Sequence, residues 1–313
     1  MKPVNAIAYA NIALVKYWGK ACVNKNIPQT GSLSLTLNAF YTKTTITLSS
    51  KDRFVLNGIE QYSDRLNKVI SFLSLVRPKG LFCEVVSENF VPTESGLASS
   101  ASGFAALACA VDKFFKLKLS RQSLSKLACF GSGSASRSIF PGLVLMNSDG
   151  YSRKIINTLD LSVVVVECGI GKKVINSRSA MSITSLTSPY HNAWISNHFI
   201  DLKSAKQAIV TNDFDKLGKI TERSALRMHA NLMAADPGLW YFKPLSLKIM
   251  SHARKLRNEG LVGYFTLDAG PHVKVICESK NSNIWKVELE KIPDIIQITV
   301  SKLGPGAYCE YGN

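Results

Sequence analysis

PTESGLASSASGFAALACAVDKFF, residues Pro92 to Phe115, passes from small hydroxyl-bearing and glycine residues straight into an apolar periodic run with almost no charge. Phe104, Leu107, Ala108, Val111 and Phe114 recur at the spacing of one helix face, which predicts a buried helix from about Ser99 to Phe115. The start of a helix leaves backbone amides without partners, and the aligned peptide dipoles make that end positive. Gly96 permits close approach, Ala98 and Ala101 keep the surface open, and Ser99, Ser100 and Ser102 offer hydroxyls. The stretch can therefore cradle a phosphate. Ser and Gly before a helix are also ordinary capping material. Neither GxxxxGK[ST] nor the dinucleotide fingerprint occurs, so this is not one of those phosphate loops.

Upstream of this helix the chain reads largely as strands. Residues 5–18 (NAIAYANIALVKYW), 31–40 (GSLSLTLNAF) and 41–50 (YTKTTITLSS) have strand character, and the last two suit a paired arrangement. Asn57-Gly58 predicts a tight turn. Leu66, Val69, Ile70, Leu73 and Val76 mark a helical face, and 81–90 (LFCEVVSENF) is a further strand. Downstream come a helix from Ser120 to Phe130, a small-residue linker, and the strands 142–150 and 155–169, the second apolar enough to be central. Helices follow at Asn192–Thr211, Phe214–Met233 (capped by Asn212 or Asp213) and Pro244–Asn258. Strands return at 264–270, 273–279 and 295–300. Strands cluster before helices instead of alternating with them, so the expected class is α+β in two lobes, 1–160 and 161–313, and not a doubly wound sheet.

Composition narrows the function. Apolar residues make up 46% of the 313 positions, which excludes a disordered chain. No apolar run reaches membrane-spanning length, and the first twenty residues do not read as a signal peptide. The formal net charge of +16 favours anionic partners. The basic residues are scattered without interleaved aromatics, so no nucleic-acid groove is marked. Seven dispersed cysteines without a CxxC, and five dispersed histidines without HExxH, predict a reduced cytoplasmic protein with no metal-ligand cluster.

Three further segments carry chemistry. GSGSASRS (Gly131–Ser138) sets Arg137 among small residues, and a guanidinium fork suits a carboxylate or phosphate; a loop or a capped helix start with a surface arginine is the plainer alternative. In LDAGP (Leu267–Pro271), Asp268 stands at a strand end before a tight turn, where it can be a catalytic base or a turn former. LVKYWGK sets Lys16 and Lys20 around aromatic residues, either as functional cations or as solvated strand ends, with Trp18 in the core. Trp194 and Trp240 read as core or lobe-seam residues. His191, His198 and His229 can line a cleft or be structural, and Lys172 and Lys173 can attract phosphate or lie in an exposed loop.

Taken together and in order, NIALVKYWGK, SLSLTL, SENFVPTESGLASSASGFAAL, GSGSASRSIFPG and TLDAGPHVKV resemble the marked segments of the diphosphomevalonate decarboxylases, within the galactokinase, homoserine kinase and mevalonate kinase-like superfamily. The resemblance runs from about Ala8 through the strand after Asp268. It implies a two-lobed small-molecule kinase-like fold with a central cleft and a left-handed β-α-β feature, use of ATP with Mg2+, a phosphorylated mevalonate as substrate, and a homodimer. It implies that Asp268 orients or deprotonates the tertiary 3-hydroxyl, that Lys16 neighbours Asp268, and that Arg137 holds the substrate carboxylate. Tyr17 and Lys20 would contact the diphosphate, and Ser134 would position the substrate. Ser177 and Arg178 would form a loop near substrate and nucleotide. Gly96, Ala98, Ser99, Ser100 and Ser102 would hold the ATP phosphates.

The implied reaction is decarboxylation of mevalonate 5-diphosphate to isopentenyl diphosphate. Related decarboxylases of the 5-monophosphate and simple mevalonate-type kinases are the alternatives. The sequence departs from the family text at Thr30 and Gly31, where an amide and a serine are usual.

Overall fold

The computed structural model describes residues 1–22, 26–90, 99–169 and 175–310. In chain order, β1 (Val4–Val15) leads to a small ribbon of β2 (Lys20–Cys22) and β3 (Ile27–Pro28). Then come β4 (Ser32–Ser49), β5 (Arg53–Leu56), β6 (Ile59–Gln61), α1 (Ser63–Leu73), β7 (Phe82–Phe90), α2 (Ser99–Phe114), α3 (Arg121–Gly131) and the single turn α4 (Ala135–Ser138). Three strands follow, β8 (Leu143–Met146), β9 (Ser152–Lys154) and β10 (Leu161–Glu167). Four helices come next, α5 (Ser177–Thr187), α6 (His191–Val210), α7 (Phe214–Met233) and α8 (Pro244–Asn258). The chain ends with β11 (Tyr264–Thr266), β12 (Val273–Glu278), α9 (Ser282–Glu290), β13 (Gln297–Lys302) and β14 (Tyr308–Cys309).

Two sheets result. The first has eight strands, with β14-β1-β4-β7-β5-β6 in line and β8 and β9 branching from β4; the second is β11-β12-β10-β13. Among the described residues every pairing is antiparallel except β5 with β7. The β5–β6 hairpin turns at Asn57 and Gly58, both with positive φ (50° and 76°), as the Asn-Gly pair predicts. The two segments expected to pair, 31–40 and 41–50, are instead one strand of 18 residues, β4. Its register against β1 jumps between Tyr9↔Tyr41 and Asn11↔Thr36. A bulge of this kind bends a strand without ending it. At the bend the Asn38 N–H donates to Ser301 Oγ (3.1 Å), and Asn38 Oδ1 accepts from the Lys302 N–H (3.0 Å), so the first sheet is tied to the second.

Period-two alternation places the cores. In β10, Val163 and Val165 face a core built with β1, β4, α6 and α7, while Val164 and Val166 face one built with α8 and α9. That double burial explains the unbroken valine run. On the outer face of the first sheet, the alanine-rich side of α2 packs with α1 and α3. A fourth cluster of Trp18, Met181, Trp194, Met228 and Tyr241 closes the seam where α5, α6 and α7 meet the end of β1. Trp194 belongs to this seam, but Trp240 does not: it is 65% exposed. Among the described residues, no helix is long and apolar enough to cross a membrane.

Candidate active site

The site begins where β1 ends. Asn11 interrupts the apolar strand β1 and Lys16 follows its last residue, and both are buried. The Lys16 backbone N–H donates to Ser224 Oγ of α7 (3.0 Å), which fixes the strand end. Its ammonium, 1% exposed, donates to the Ala13 carbonyl (2.8 Å) and to Asp268 Oδ1 (2.7 Å). The reading of Lys16 as a solvated strand end is therefore overturned.

Asp268 arrives by the same alternation that builds the core. In the β11–β12 hairpin Tyr264 faces Ile276 and Thr266 faces Lys274, so Asp268 and Lys274 continue one stripe on the side of the first sheet. Lys274, wholly buried, lies 3.3 Å from Asp268 Oδ2. Burial works to raise the Asp268 pKa, but the two ammonium groups outweigh it and hold the carboxyl well below the usual range. Lys16 is pulled the other way. Burial lowers it to about 8 against the partial support of Asp268, with Lys274 and Arg137 lowering it further.

Arg137 sits in the single turn α4 and is buried, so it is not the surface arginine of the plainer alternative. Its Nε donates to Asn11 Oδ1 (3.0 Å) and its Nη1 to Ser32 Oγ (2.6 Å). Asn11 in turn donates to Ser138 Oγ (2.8 Å) and to the Ser134 carbonyl (3.1 Å), so it orients both the guanidinium and the turn that carries it. Desolvation pushes Arg137 down to about 10. It nevertheless stays charged at neutral pH, with its second terminal nitrogen left for the cleft.

These groups open into a cavity of about 360 Å³ lined by Lys16, Arg137 and Asp268. Tyr17, Lys20 and Ser134 line it too, as do Ser177 and Arg178 from α5 and Ser99 and Ser100 from α2. Tyr17 Oη has no hydrogen-bond partner among the described residues. A Cβ on Gly133 would lie 2.4 Å from that oxygen, so the glycine lets the phenol in. Lys20 Nζ donates to Asn26 Oδ1 (2.7 Å), and burial followed by the Arg178 charge lowers it to about 8. Ser177 and Arg178 stand on the first turn of a helix capped by the Asn176 side chain, not on a loop. Ser100 Oγ is 3.4 Å from Ser132 Oγ.

Ser102 departs from expectation. It is wholly buried, and its hydroxyl is 2.7 Å from Thr42 Oγ1 on the sheet side of α2. It therefore cannot offer that hydroxyl to a phosphate in the cleft. Gly96, Ala98, Lys172 and Lys173 lie outside the described residues. Thr30 and Gly31 do not line the cavity, and a Cβ on Gly31 would lie 2.7 Å from the Met146 carbonyl oxygen, so packing against β8 accounts for that glycine. His229 is buried against Phe242 (ring centroids 4.4 Å apart), while burial and Lys16 lower it to about 3.

The sequence reading missed Asn11 and Lys274. Each is a polar residue breaking an apolar strand, which was the available signal. It also missed a second hollow of about 240 Å³, walled by Phe54, Leu56, Val69, Val85 and Leu107 and touching Ser99 and Ser100.

Lys16 and Arg137 line the cleft and Lys274 backs Asp268, three buried cations against one carboxylate, so the floor is complementary to an anion. The comparisons agree in kind. The diphosphomevalonate decarboxylase-like N-terminal domain matches residues 8–154, and the mevalonate 5-diphosphate decarboxylase C-terminal domain matches 162–299. The diphosphomevalonate decarboxylase of Candida albicans is 31% identical, over 90% of this chain and 86% of its own length. A solved structure described as MDDEF in complex with MVAPP, AMPPCP and magnesium superposes with a TM-score of 0.93 at 42% identity, covering 99% of both chains. The mevalonate diphosphate decarboxylase from Enterococcus faecalis gives a TM-score of 0.91 at 42% identity, again over 99% of both. The chain belongs to the diphosphomevalonate decarboxylase family, whose structures have the two-lobed kinase-like fold expected from its motifs.

Proposed function

We propose that this chain is an ATP-dependent decarboxylase of mevalonate 5-diphosphate, yielding isopentenyl diphosphate, ADP, phosphate and CO2. The observation that carries the reading is the Lys16–Asp268 pair at 2.7 Å in a cleft that also holds Arg137 and the start of α2. The family relation and the substrate and nucleotide analogue bound by a near structural relative support it.

The chemistry follows from the residues. A tertiary alcohol is a crowded nucleophile, so positioning dominates. Asp268 accepts a hydrogen bond from the 3-hydroxyl and aims its oxygen at the γ-phosphorus. As bonding to phosphorus develops, the hydroxyl proton passes to the Asp268 carboxylate. Lys16 screens the charge that gathers there. Arg137 holds the substrate carboxylate with the nitrogen that Asn11 and Ser32 leave over. Once O3 carries the phosphoryl group, the C3–O bond breaks with loss of phosphate. The bond from C2 to the carboxyl carbon then breaks, CO2 departs, and its electron pair forms the C2–C3 double bond.

Tyr17, Lys20, Ser134, Ser177 and Arg178 take the diphosphate end. Ser99 and Ser100 take the nucleotide phosphates, and the apolar hollow beside them takes the adenine. Among the described residues no three His, Cys, Asp or Glu gather to bind a metal. The hydroxyls of Ser99, Ser100 and Ser132 are hard oxygen donors that suit Mg2+ carried on ATP phosphates, where the ion neutralises phosphate charge.

The same reading assigns the nucleotide phosphates to a lobe ending near Asp160 and Asp268 to the lobe that follows, with β14 returned to the first sheet. It also carries a cytoplasmic homodimer, which sedimentation and cell fractionation test. The deciding experiment offers mevalonate, its 5-phosphate and its 5-diphosphate separately with ATP and Mg2+, and quantifies ADP and CO2. Equal ADP and CO2 from the diphosphate alone supports the proposal. The same result from the monophosphate transfers the chain to the other decarboxylase class. ADP without CO2 removes the role given to Arg137.

A further inference from the structure

Lys274 has no task in the steps above, yet it is placed as deliberately as Lys16. It comes from β12, is wholly buried, and approaches Asp268 at Oδ2, while Lys16 comes from the end of β1 to Oδ1. Apart from this ion pair, its ammonium has no hydrogen-bond partner among the described residues. The other groups facing the carboxylate are Arg137 from α4 and the neutral His229 from α7. One carboxylate therefore answers three cations, and the second ammonium is in excess of what pairing Asp268 requires.

Burying an ammonium with half a partner costs stability, and an apolar side chain of similar length would pack at that position without the charge. A costly charge retained beside a reacting carboxylate points to function. We infer that Lys274 is a positioning residue for the reaction: it clamps Oδ2 so that Asp268 stays ionised and in one orientation toward the 3-hydroxyl. Without it, Asp268 is held at one oxygen and can swing about that contact. The inference rests on the role proposed for Asp268.

The experiment compares purified wild-type protein with Lys274→Met, Lys274→Gln, Lys274→Arg and Asp268→Asn, using ATP, Mg2+ and mevalonate 5-diphosphate. For the Met and Gln variants, kcat falls roughly 10- to 100-fold, the effect expected of a misplaced reacting group. KM stays within about threefold, since substrate binding is not what Lys274 serves. The acid limb of kcat/KM moves up by roughly one pH unit or more, because an opposite charge at this range has been removed from Asp268. Lys274→Arg restores the acid limb, and the Met variant melts no lower than wild type. Both neutral variants are made so that the limb is read from whichever folds. A neutral variant with wild-type kcat and acid limb, while Asp268→Asn is inactive, overturns the role of Lys274 alone. A lowered melting temperature with an unmoved limb also overturns it, as a purely structural lysine would behave in that way. An active Asp268→Asn overturns the reading of Asp268 beneath it.

Discussion

Lys16 and Asp268 stand 252 positions apart in sequence and 2.7 Å apart in the fold. The contact joins the end of β1 in the first sheet to the turn of the β11–β12 hairpin in the second. It therefore exists only when the two sheets have docked through their shared core. Its chemistry depends on that docking too, since the burial that pushes Lys16 down also strengthens its attraction to the carboxylate.

Asp268→Asn keeps the shape and removes the charge. Turnover falls about 10²- to 10⁴-fold, the range for a side chain that handles the reacting proton. ATP affinity, read by nucleotide titration, stays near wild type. Retention of more than a tenth of the wild-type rate rules out an orienting role for this carboxylate.

Activity and stability should part company above neutral pH. Lys16 and Lys20 both titrate at about 8, each lowered chiefly by burial. If both must be charged, kcat/KM falls above pH 8 with the steepness of two protons, and Lys16→Arg reduces it to one, because a guanidinium keeps its charge. The stability contribution of Lys16 has the opposite sign. Its folded pKa is below the ordinary 10.5, so the unfolded chain holds the proton longer, and the contribution rises with pH from about 8 to 10.5. Asp268, depressed in the fold, stabilises above the ordinary carboxylate value of 3.8 and loses that contribution as pH falls below it. Rate profiles set beside denaturant melts at the same pH values test this. Loss of activity at pH 9 caused by unfolding would contradict it.

Arg137 is clamped on two nitrogens, by Asn11 and Ser32. Arg137→Lys supplies a charge without the fork, so it should not rescue, and kcat/KM for the substrate falls at least about 10²-fold in both the Lys and Gln variants. Asn11→Ala leaves the charge and loosens the clamp, so it lies between these and wild type. Equal activity in wild type and Arg137→Lys would remove the role given to the clamped guanidinium.

Much of this was legible in the chain because both periodicities act locally. The face of α2, the valine run of β10 and the Asn57-Gly58 turn each follow from neighbours a few positions away. The bend in β4 was not legible, since a bulge is fixed by the partner strand and by Asn38 reaching the other sheet. Helix α5 was hidden by its hydroxyl residues, which favour caps and turns, and is held by Asn176 at its start and by Met181 in the seam. Of the cleft, Lys16, Arg137 and Asp268 were singled out within the quoted motifs, and the structure brings them around one cavity. Lys274 was passed over because its importance depends on which side of a strand faces Asp268, and Trp240 was misjudged because size alone does not bury a side chain.

The serines of α2 give the sharpest separation between motif and geometry. Ser99 and Ser100 border the cleft, while Ser102, two or three positions on, turns to the sheet and meets Thr42. Ser99→Ala and Ser100→Ala should each raise KM for ATP, by about the tenfold that the loss of a hydrogen bond to a charged group implies, with little change in melting temperature. Ser102→Ala should leave KM for ATP unchanged. It should destabilise the fold by about 1 to 2 kcal/mol, because the Thr42 hydroxyl is left with a poorer set of partners in a buried place. Thr42→Val paired with Ser102→Ala should recover part of that loss, since both polar partners then leave together. A Ser102→Ala variant with weakened nucleotide binding and an unchanged melting temperature would put the hydroxyl back in the phosphate site and displace the sheet-facing assignment.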